Sequence, residues 1–287
     1  SLLTLVGCSD VNENFETGLE AFENDDFLKA ESAFTKVLED DPEYADAYNN
    51  RALTRLELEK YELALQDADK AINLQPRDPD FFITRGTINL EHGDYDAARK
   101  DATQAVDLKQ DHAYGWYLLG TIKLAQENYT GALNDLEKAL RFDRNLLQAQ
   151  LQIPVVYILQ GNYDAAIAAY EEFLSKNPPQ ADVYRNLGYA RMRQGNYPGA
   201  VNALEKASDM ADPTPADLNN LGFSYYMAGD TAKGQQLVEQ SFAADSSNAE
   251  ALYHLAVINR SEPGFECPAD ECRTHRARSP AIRSVDR

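Results

Sequence analysis

The chain repeats itself every 34 residues, and this period restricts the possible folds more than any other feature. Six alanines follow one another at that spacing: Ala30, Ala64, Ala98, Ala132, Ala166 and Ala200. An aromatic residue recurs just before each alanine: Phe27, Tyr61, Tyr95, Tyr129, Tyr163 and Tyr197. Five glycines are separated by multiples of the same period: Gly18, Gly86, Gly120, Gly188 and Gly222. The chain is therefore an array of similar units, each packed on its neighbours, without one central core.

Counting from residue 11, the period defines seven units without insertion or deletion. We predict these units at 11–44, 45–78, 79–112, 113–146, 147–180, 181–214 and 215–248. A terminal helix is predicted at 249–260, where Leu252, Leu255 and Ile258 would cover the apolar face of the last unit.

Each unit has the pattern of two helices joined by a turn. In the sixth unit, Tyr184 and Leu187 lie three residues apart, as one face of a first helix requires. Gly195 then interrupts the pattern, and glycine is the residue that most often ends a helix. Ala200 and Leu204 share one face of a second helix. The small glycine and alanine side chains predict a close approach of the two helices.

This pattern resembles the tetratricopeptide repeat, a family with an aromatic residue, a Leu-Gly pair and several small residues at fixed positions of a 34-residue unit. The fourth unit supplies Trp116, Leu119, Gly120, Ala132, Leu136 and Ala139. The resemblance covers residues 11 to about 260. It implies an all-α, right-handed superhelical solenoid of about seven helix-turn-helix repeats and a capping helix, whose first helices line a concave surface.

Two units depart from the pattern. The fifth has Pro154 where the small packing residue belongs, and a proline inside a helix costs about 3 kcal/mol. We expect the first helix of that unit to be kinked or to start late. The seventh unit has Gly234 in place of alanine and Thr231 in place of the aromatic residue. We expect the packing of this unit to be looser than that of the others.

The charge of the chain restricts its partners. Asp and Glu outnumber Lys and Arg by 47 to 27, which gives a net charge of −20. Phosphate backbones and anionic lipid headgroups would repel such a chain, so nucleic acid is not an expected partner. No run of eighteen apolar residues exists that could span a bilayer.

The first ten residues resemble the end of a bacterial lipoprotein signal peptide. An apolar run from Leu2 to Val6 is followed by Gly7 and Cys8, and Leu5-Val6-Gly7-Cys8 is similar to a lipobox. The resemblance implies a lipid on Cys8 and an anchored protein on the periplasmic face, with Ser9 favouring the outer membrane. The alternatives are a frayed apolar terminus with a chance cysteine, and a cytoplasmic protein.

The segment 261–287 lacks the repeat and is expected to be a disordered tail. It contains five arginines and no lysine, together with Cys267 and Cys272. An oxidising compartment would favour a disulfide between these cysteines. The two alternatives are a zinc site with His275, which lacks a fourth ligand, and sequence foreign to the protein.

The sequence offers no catalytic constellation. It contains no Gly-x-Ser-x-Gly, no phosphate-binding Gly-Lys-Ser/Thr loop and no His-Glu-x-x-His. His92 and His112 lie at turns, where we expect them to be solvated, and His254 is expected at the surface of the terminal helix. We therefore predict a protein that is not an enzyme and has no cofactor, metal or small-molecule substrate.

The candidate binding residues lie at repeat positions 2, 5, 9 and 12, the stripe that in this family faces the groove. We predict a peptide-binding groove formed by Tyr114, Tyr117, Thr121, Arg185, Tyr189, Met192, Asn219, Phe223 and Tyr226. Aromatic side chains beside Arg and Asn suit a peptide ligand, because they combine rigid apolar contact with hydrogen bonding. An alternative is that the position-12 side chains are buried between helices.

Together these features predict a non-enzymatic scaffold that binds peptide segments or helices of other proteins, as a lipid-anchored factor of the cell envelope. Lipoproteins of this kind assist pilus assembly or organise wall-remodelling enzymes, and the sequence does not choose between those roles. The alternatives are a cytoplasmic adaptor and the regulatory region of a larger enzyme.

Overall fold

The structure, a computed structural model, describes the backbone of residues 3–259 and the side chains of residues 11–259. Helices are the only regular elements in this part of the chain. They are α1 (Leu3–Glu23), α2 (Phe27–Asp40), α3 (Ala45–Glu57), α4 (Tyr61–Leu74), α5 (Pro79–Glu91), α6 (Tyr95–Leu108), α7 (Ala113–Ala125), α8 (Tyr129–Phe142), α9 (Leu147–Leu159), α10 (Tyr163–Lys176), α11 (Ala181–Gln194), α12 (Tyr197–Met210), α13 (Pro215–Ala228), α14 (Thr231–Ala244) and α15 (Ala249–Asn259). The predicted all-α array of seven helix pairs and a terminal helix is confirmed.

The helices form two compact units that each contain several of the 34-residue repeats. From here on, the first unit is the part of the chain up to Leu146, and the second unit is the part from Leu147 onward. In the first unit, α1 to α8 make four antiparallel pairs, and α2, α4 and α6 each also pack on the first helix of the next pair. In the second unit, α9 to α14 make three pairs, and α15 packs on both α13 and α14. Each pair contacts mainly its neighbours, as an array requires.

The repeating glycines and alanines lie where the two helices of a pair meet. All six repeating alanines are fully buried. A Cβ atom added to Gly120 would lie 2.8 Å from Leu136 Cγ and 3.3 Å from the carbonyl oxygen of Ala132. At Gly188 the same atom would lie 2.5 Å from Leu204 Cγ. Side chains at these glycines would therefore push the pair apart.

Each turn inside a pair uses the same two local devices. In every pair, the residue that lies two positions before the start of the second helix has a left-handed backbone. These residues are Asp25, Glu59, Gly93, Glu127, Gly161, Gly195 and Gly229. The next residue caps the second helix, and in six of the seven pairs its side chain accepts a hydrogen bond from the backbone: Asp26, Asp94, Asn128, Asn162, Asn196 and Asp230. These devices fix where every second helix begins.

Pro154 does not delay the first helix of its unit. Helix α9 begins at Leu147, the first position of the repeat, and continues through a buried Pro154 to Leu159. The predicted late start is therefore wrong. Pro154 is the eighth residue of α9, inside the helix, where a proline has no N–H to donate to the preceding turn, and it is buried like the adjacent Val155 and Val156.

The seventh pair is not looser than the others, contrary to the expectation from Gly234. A Cβ atom at Gly234 would lie 2.5 Å from Tyr226 N and 2.7 Å from the carbonyl oxygen of Gly222. Glycine on both helices therefore brings the backbones of α13 and α14 closer together, with no alanine methyl group between them.

The terminal helix is present, and its buried face agrees only in part with the predicted one: Ile258 is buried as expected, Leu255 is half-buried and Leu252 is exposed. Ala251, His254 and Ile258 are buried, whereas Leu252 is 41% exposed. Ala251, His254 and Ile258 occupy repeat positions 3, 6 and 10, which pack on the preceding pair in the other units. Leu252 is at position 4, which in a complete repeat faces that repeat's own second helix.

Candidate interaction surface

In the first unit, one stripe of the first helices stays partly or fully exposed while the neighbouring positions are buried. We call it the first-helix face: repeat positions 2, 5, 9, 12 and 13 of α3, α5 and α7. Its members are Asp46, Asn49, Leu53, Leu56, Glu57, Asp80, Ile83, Thr87, Leu90, Glu91, Tyr114, Tyr117, Thr121, Leu124 and Ala125. The three helices contact one another in the order α3, α5, α7, so these side chains share one surface.

The three predicted groove residues of the first unit come together on α7. Tyr114 is 44% exposed, and its ring meets that of the half-buried Tyr117 edge to face, with centroids 6.4 Å apart. Thr121 Oγ1 donates a hydrogen bond to the carbonyl oxygen of Tyr117 at 3.1 Å. Tyr114 and Tyr117 therefore form an aromatic pair that a partner can reach.

The second unit buries much of the predicted groove. Tyr189 and Met192 are each 5% exposed, and Asn219 is 1% exposed. Tyr189 and Met192 belong to a core cluster with Leu151 and Ile158 of α9. Side chains at positions 5, 9 and 12 fill the space between neighbouring first helices here, so the expected exposure of Tyr189 and Asn219 is wrong, and Met192 at position 12 follows the alternative of burial between helices.

Arg185 is held within the fold. Its Nη1 lies 2.6 Å from Asp182 Oδ1, and its Nε lies 2.9 Å from Asp217 Oδ2. The pKa of Arg185 is raised by these two carboxylates against the opposing effect of burial. Its charge therefore joins α11 to the start of α13, and an acidic ligand would have to compete with two internal acids.

Phe223 and Tyr226, the remaining predicted groove residues, are partly exposed. Phe223 stacks on His254 of α15, whose Nδ1 lies 2.8 Å from Asn219 Oδ1. An amide oxygen only accepts, so Nδ1 carries the proton. Burial, followed by the positive charge of Arg193, lowers the pKa of His254 to about 3. The expectation of a surface histidine is therefore wrong: His254 is a neutral core residue.

His112 also differs from expectation, whereas His92 is exposed as predicted. His112 is 8% exposed and caps α7, accepting a hydrogen bond at Nδ1 from Gly115 N at 3.2 Å. Its Nε2 then carries the proton and donates to Asp80 Oδ1 at 2.8 Å. This hydrogen bond is the main reason that the pKa of Asp80 is lowered.

Sequence reasoning missed a row of buried carboxylates in the first unit. Asp67, Asp101 and Asp135 are spaced 34 residues apart and are at most 4% exposed. Asp67 and Asp101 each take a two-pronged contact from an arginine, Arg51 and Arg85 respectively. The 34-residue spacing of the three aspartates was the signal in the sequence.

The side chains of residues 11–259 show no grouping of His, Cys, Asp and Glu that would hold a metal ion. No helix among the described residues has both the length and the apolar character to cross a membrane. The side chain of Cys8, the proposed lipid site, and the tail at 261–287 with its two cysteines lie outside the described side chains.

A family model for the tetratricopeptide repeat matches residues 15–80, 83–145 and 157–215. A tetratricopeptide repeat protein from Parabacteroides merdae is 17% identical over 87% of this chain and 99% of its own, with a TM-score of 0.59. A chain of the APC/C hetero-tetramer Cut9–Hcn1 is 17% identical, and the match covers 84% of this chain and 54% of that chain with a TM-score of 0.64. PilF from Pseudomonas aeruginosa is 20% identical, and the match covers 71% of this chain and 92% of PilF with a TM-score of 0.59. At these identities the likeness concerns the fold alone.

Proposed function

The chain belongs to the tetratricopeptide repeat family, and we propose that it is a non-enzymatic scaffold that binds segments of partner proteins on the first-helix face. The family fold supports the binding of other proteins. Its repeated helix pairs build long surfaces whose exposed side chains vary while the packing residues stay fixed.

The observation that carries the proposal is the exposure of the first-helix face. The packing glycines and alanines are buried throughout the described units, but Tyr114 is 44% exposed and Tyr117, Ile83 and Leu90 are partly exposed. Accessible aromatic side chains are frequent anchors of protein interfaces. The net charge of −20 favours proteins over nucleic acids as partners.

We test this function by titrating partners recovered from cell extracts with immobilised protein. Tyr114→Ala removes an exposed anchor with little effect on the core, and we expect an affinity loss of about thirty-fold if it occupies the centre of the interface. The matched control is Glu137→Ala on the exposed face of α8, which should leave binding unchanged. Loss of binding with the control alone would place the interface on the second helices.

For location we propose attachment by lipid on Cys8 to the periplasmic face of the outer membrane. The support is the sequence Leu5-Val6-Gly7-Cys8. When a complete signal peptide is supplied, Cys8→Ala should move the protein from the membrane fraction to the soluble fraction. If the wild-type protein is equally soluble, the tether is wrong and a cytoplasmic adaptor becomes the better description. A catalytic domain encoded in the same gene would instead favour the regulatory region of an enzyme.

A further inference from the structure

In the third repeat, an arginine of the first helix bridges the two second helices beside it. Arg85 of α5 has Nη1 2.6 Å from Asp69 Oδ1 of α4, and Nη2 2.6 Å from Asp101 Oδ1 of α6. The sixth repeat has Leu187 and Ala203 where the third has Arg85 and Asp101. Because neither of these side chains reaches across, a cavity of about 290 Å³ stays open between α10 and α12, above α11.

The cavity has an apolar floor and a polar rim. Leu187 is almost fully buried at the floor, and Leu174 and Tyr184 beside it are partly buried. The remaining lining side chains are Glu171, Ser175, Arg191, Asn202 and Lys206. The volume lies just below the range of about 300–1,000 Å³ that is typical of small-molecule sites, so the cavity has room for one bulky side chain of a protein partner.

Lys206, at the rim of the cavity, contacts an aromatic ring but no carboxylate. Its Nζ lies 5.4 Å from the centroid of the Tyr184 ring, and the described residues give it no ion pair. Lys138, at the same position of the fourth repeat, also lies over an aromatic ring but has Nζ 3.2 Å from Asp135 Oδ1. The sixth repeat has Ala203 in place of that aspartate. The ring contact is therefore kept while the carboxylate is lost.

The acids near Lys206 do not pair with it. Glu171 Oε1, on the opposite wall, lies 2.7 Å from Arg191 Nη2, and Glu205 is paired with another lysine at 3.4 Å. Asp209, one turn further along α12, is exposed and makes no ion pair with Lys206. Of the side chains that line the cavity, Lys206 is thus the one that carries a charge without an opposite charge in contact. The cavity offers this cation beside its apolar floor.

From this arrangement we propose that the cavity anchors a segment of a partner protein in which an Asp or Glu stands next to a bulky apolar residue. The apolar side chain packs on Leu174, Tyr184 and Leu187, and the carboxylate meets Lys206 Nζ. Because the Tyr184 ring already positions the ammonium group, less side-chain entropy is lost when the carboxylate binds. The site lies between second helices of the second unit, so it is an interaction surface beyond the first-helix face.

The experiment titrates the full chain with short blocked peptides and follows the backbone amide signals by NMR. Three peptides differ only in their two central residues, which are Phe-Glu, Phe-Gln or Gly-Glu. The wild type is compared with Lys206→Gln. The matched control is Lys70→Gln, which removes the same charge at the same position of the second repeat, where Lys70 also lies over a tyrosine ring.

We expect the Phe-Glu peptide to shift the signals of α10, α11 and α12. It should bind the wild type about three- to five-fold more tightly than the Phe-Gln peptide, as one exposed ion pair allows. Lys206→Gln should remove this difference, and Lys70→Gln should preserve it. The Gly-Glu peptide should cause no saturable shift, because it lacks the apolar side chain.

The inference is overturned if the Phe-Glu peptide leaves the signals of α10, α11 and α12 unchanged or binds no better than the Phe-Gln peptide. Equal losses in Lys206→Gln and Lys70→Gln would mean attraction to positive charge in general, and saturable binding of the Gly-Glu peptide would mean that no apolar anchor is needed; either result also overturns it. Tyr114→Ala tests the first-helix face separately, so failure here leaves the proposed scaffold function standing.

Discussion

The rings of Phe223 and His254 stack face to face, with centroids 3.8 Å apart and planes 8° from parallel. The contact joins α13 to α15, and it depends on a neutral imidazole because burial and the nearby Arg193 disfavour its charged form. We therefore expect the attachment of the terminal helix to depend on pH.

The first prediction is a loss of stability in mild acid. The pKa of His254 is about 3 in the folded chain and about 6.5 when unfolded, so its contribution is complete above pH 6.5 and is lost as the pH falls toward 3. Between pH 7.5 and pH 5 this amounts to about 2 kcal/mol. Urea unfolding at both pH values measures it. His254→Gln should show a smaller pH dependence than the wild type, and an equal dependence would contradict the assignment.

The second prediction concerns a left-handed residue that is not glycine. Glu127 follows α7 with φ 59°, a conformation that costs a residue with a side chain about 1 kcal/mol. Glu127→Gly should therefore stabilise the chain by about 0.5–1 kcal/mol. The matched change Glu137→Gly, inside α8, should destabilise it by about 1 kcal/mol. Chemical denaturation distinguishes the signs, and destabilisation by both changes would show that the backbone at Glu127 is not strained.

The fold was predictable because the signal repeats. Any single glycine or aromatic residue is weak evidence, but six alanines at one spacing leave little choice of architecture. The turns were predictable in the same way, since Gly195 occupies the left-handed position of its unit. The same backbone at Asp25, Glu59 and Glu127 was hidden, because residues with a side chain do not ordinarily prefer a left-handed conformation.

The binding surface was only partly predictable. A side chain at repeat position 9 is expected on the surface formed by the first helices. Thr121 at this position is partly exposed in the first unit, but Tyr189 at the same position is buried in the second unit. The difference depends on how bulky residues on adjacent first helices pack, which no single unit encodes. The inward turn of Arg85 was likewise hidden, because it depends on Asp101 sixteen residues away on another helix.

The final prediction concerns that pair. Asp101 accepts hydrogen bonds from Arg85 Nε at 2.9 Å and Nη2 at 2.6 Å, and its side chain is only 5% exposed. In the second unit the equivalent positions carry an apolar pair, Leu187 and Ala203. Asp101→Ala leaves Arg85 half-satisfied in a largely buried site and should destabilise the chain by about 3 kcal/mol.

The double variant Arg85→Leu/Asp101→Ala carries the apolar pair of the second unit and should recover part of that loss, since well-packed apolar replacements of buried ion pairs are often close to neutral. The rest of the loss remains because Asn89 Nδ2, which donates to Asp101 Oδ2 at 3.3 Å, still lacks its acceptor. Asp69, the other partner of Arg85, is 56% exposed at its side chain and remains solvated without it. Unfolding free energies of the wild type, both single variants and the double variant give the coupling between the two residues. Additive losses would show that the carboxylate stabilises α6 independently of Arg85.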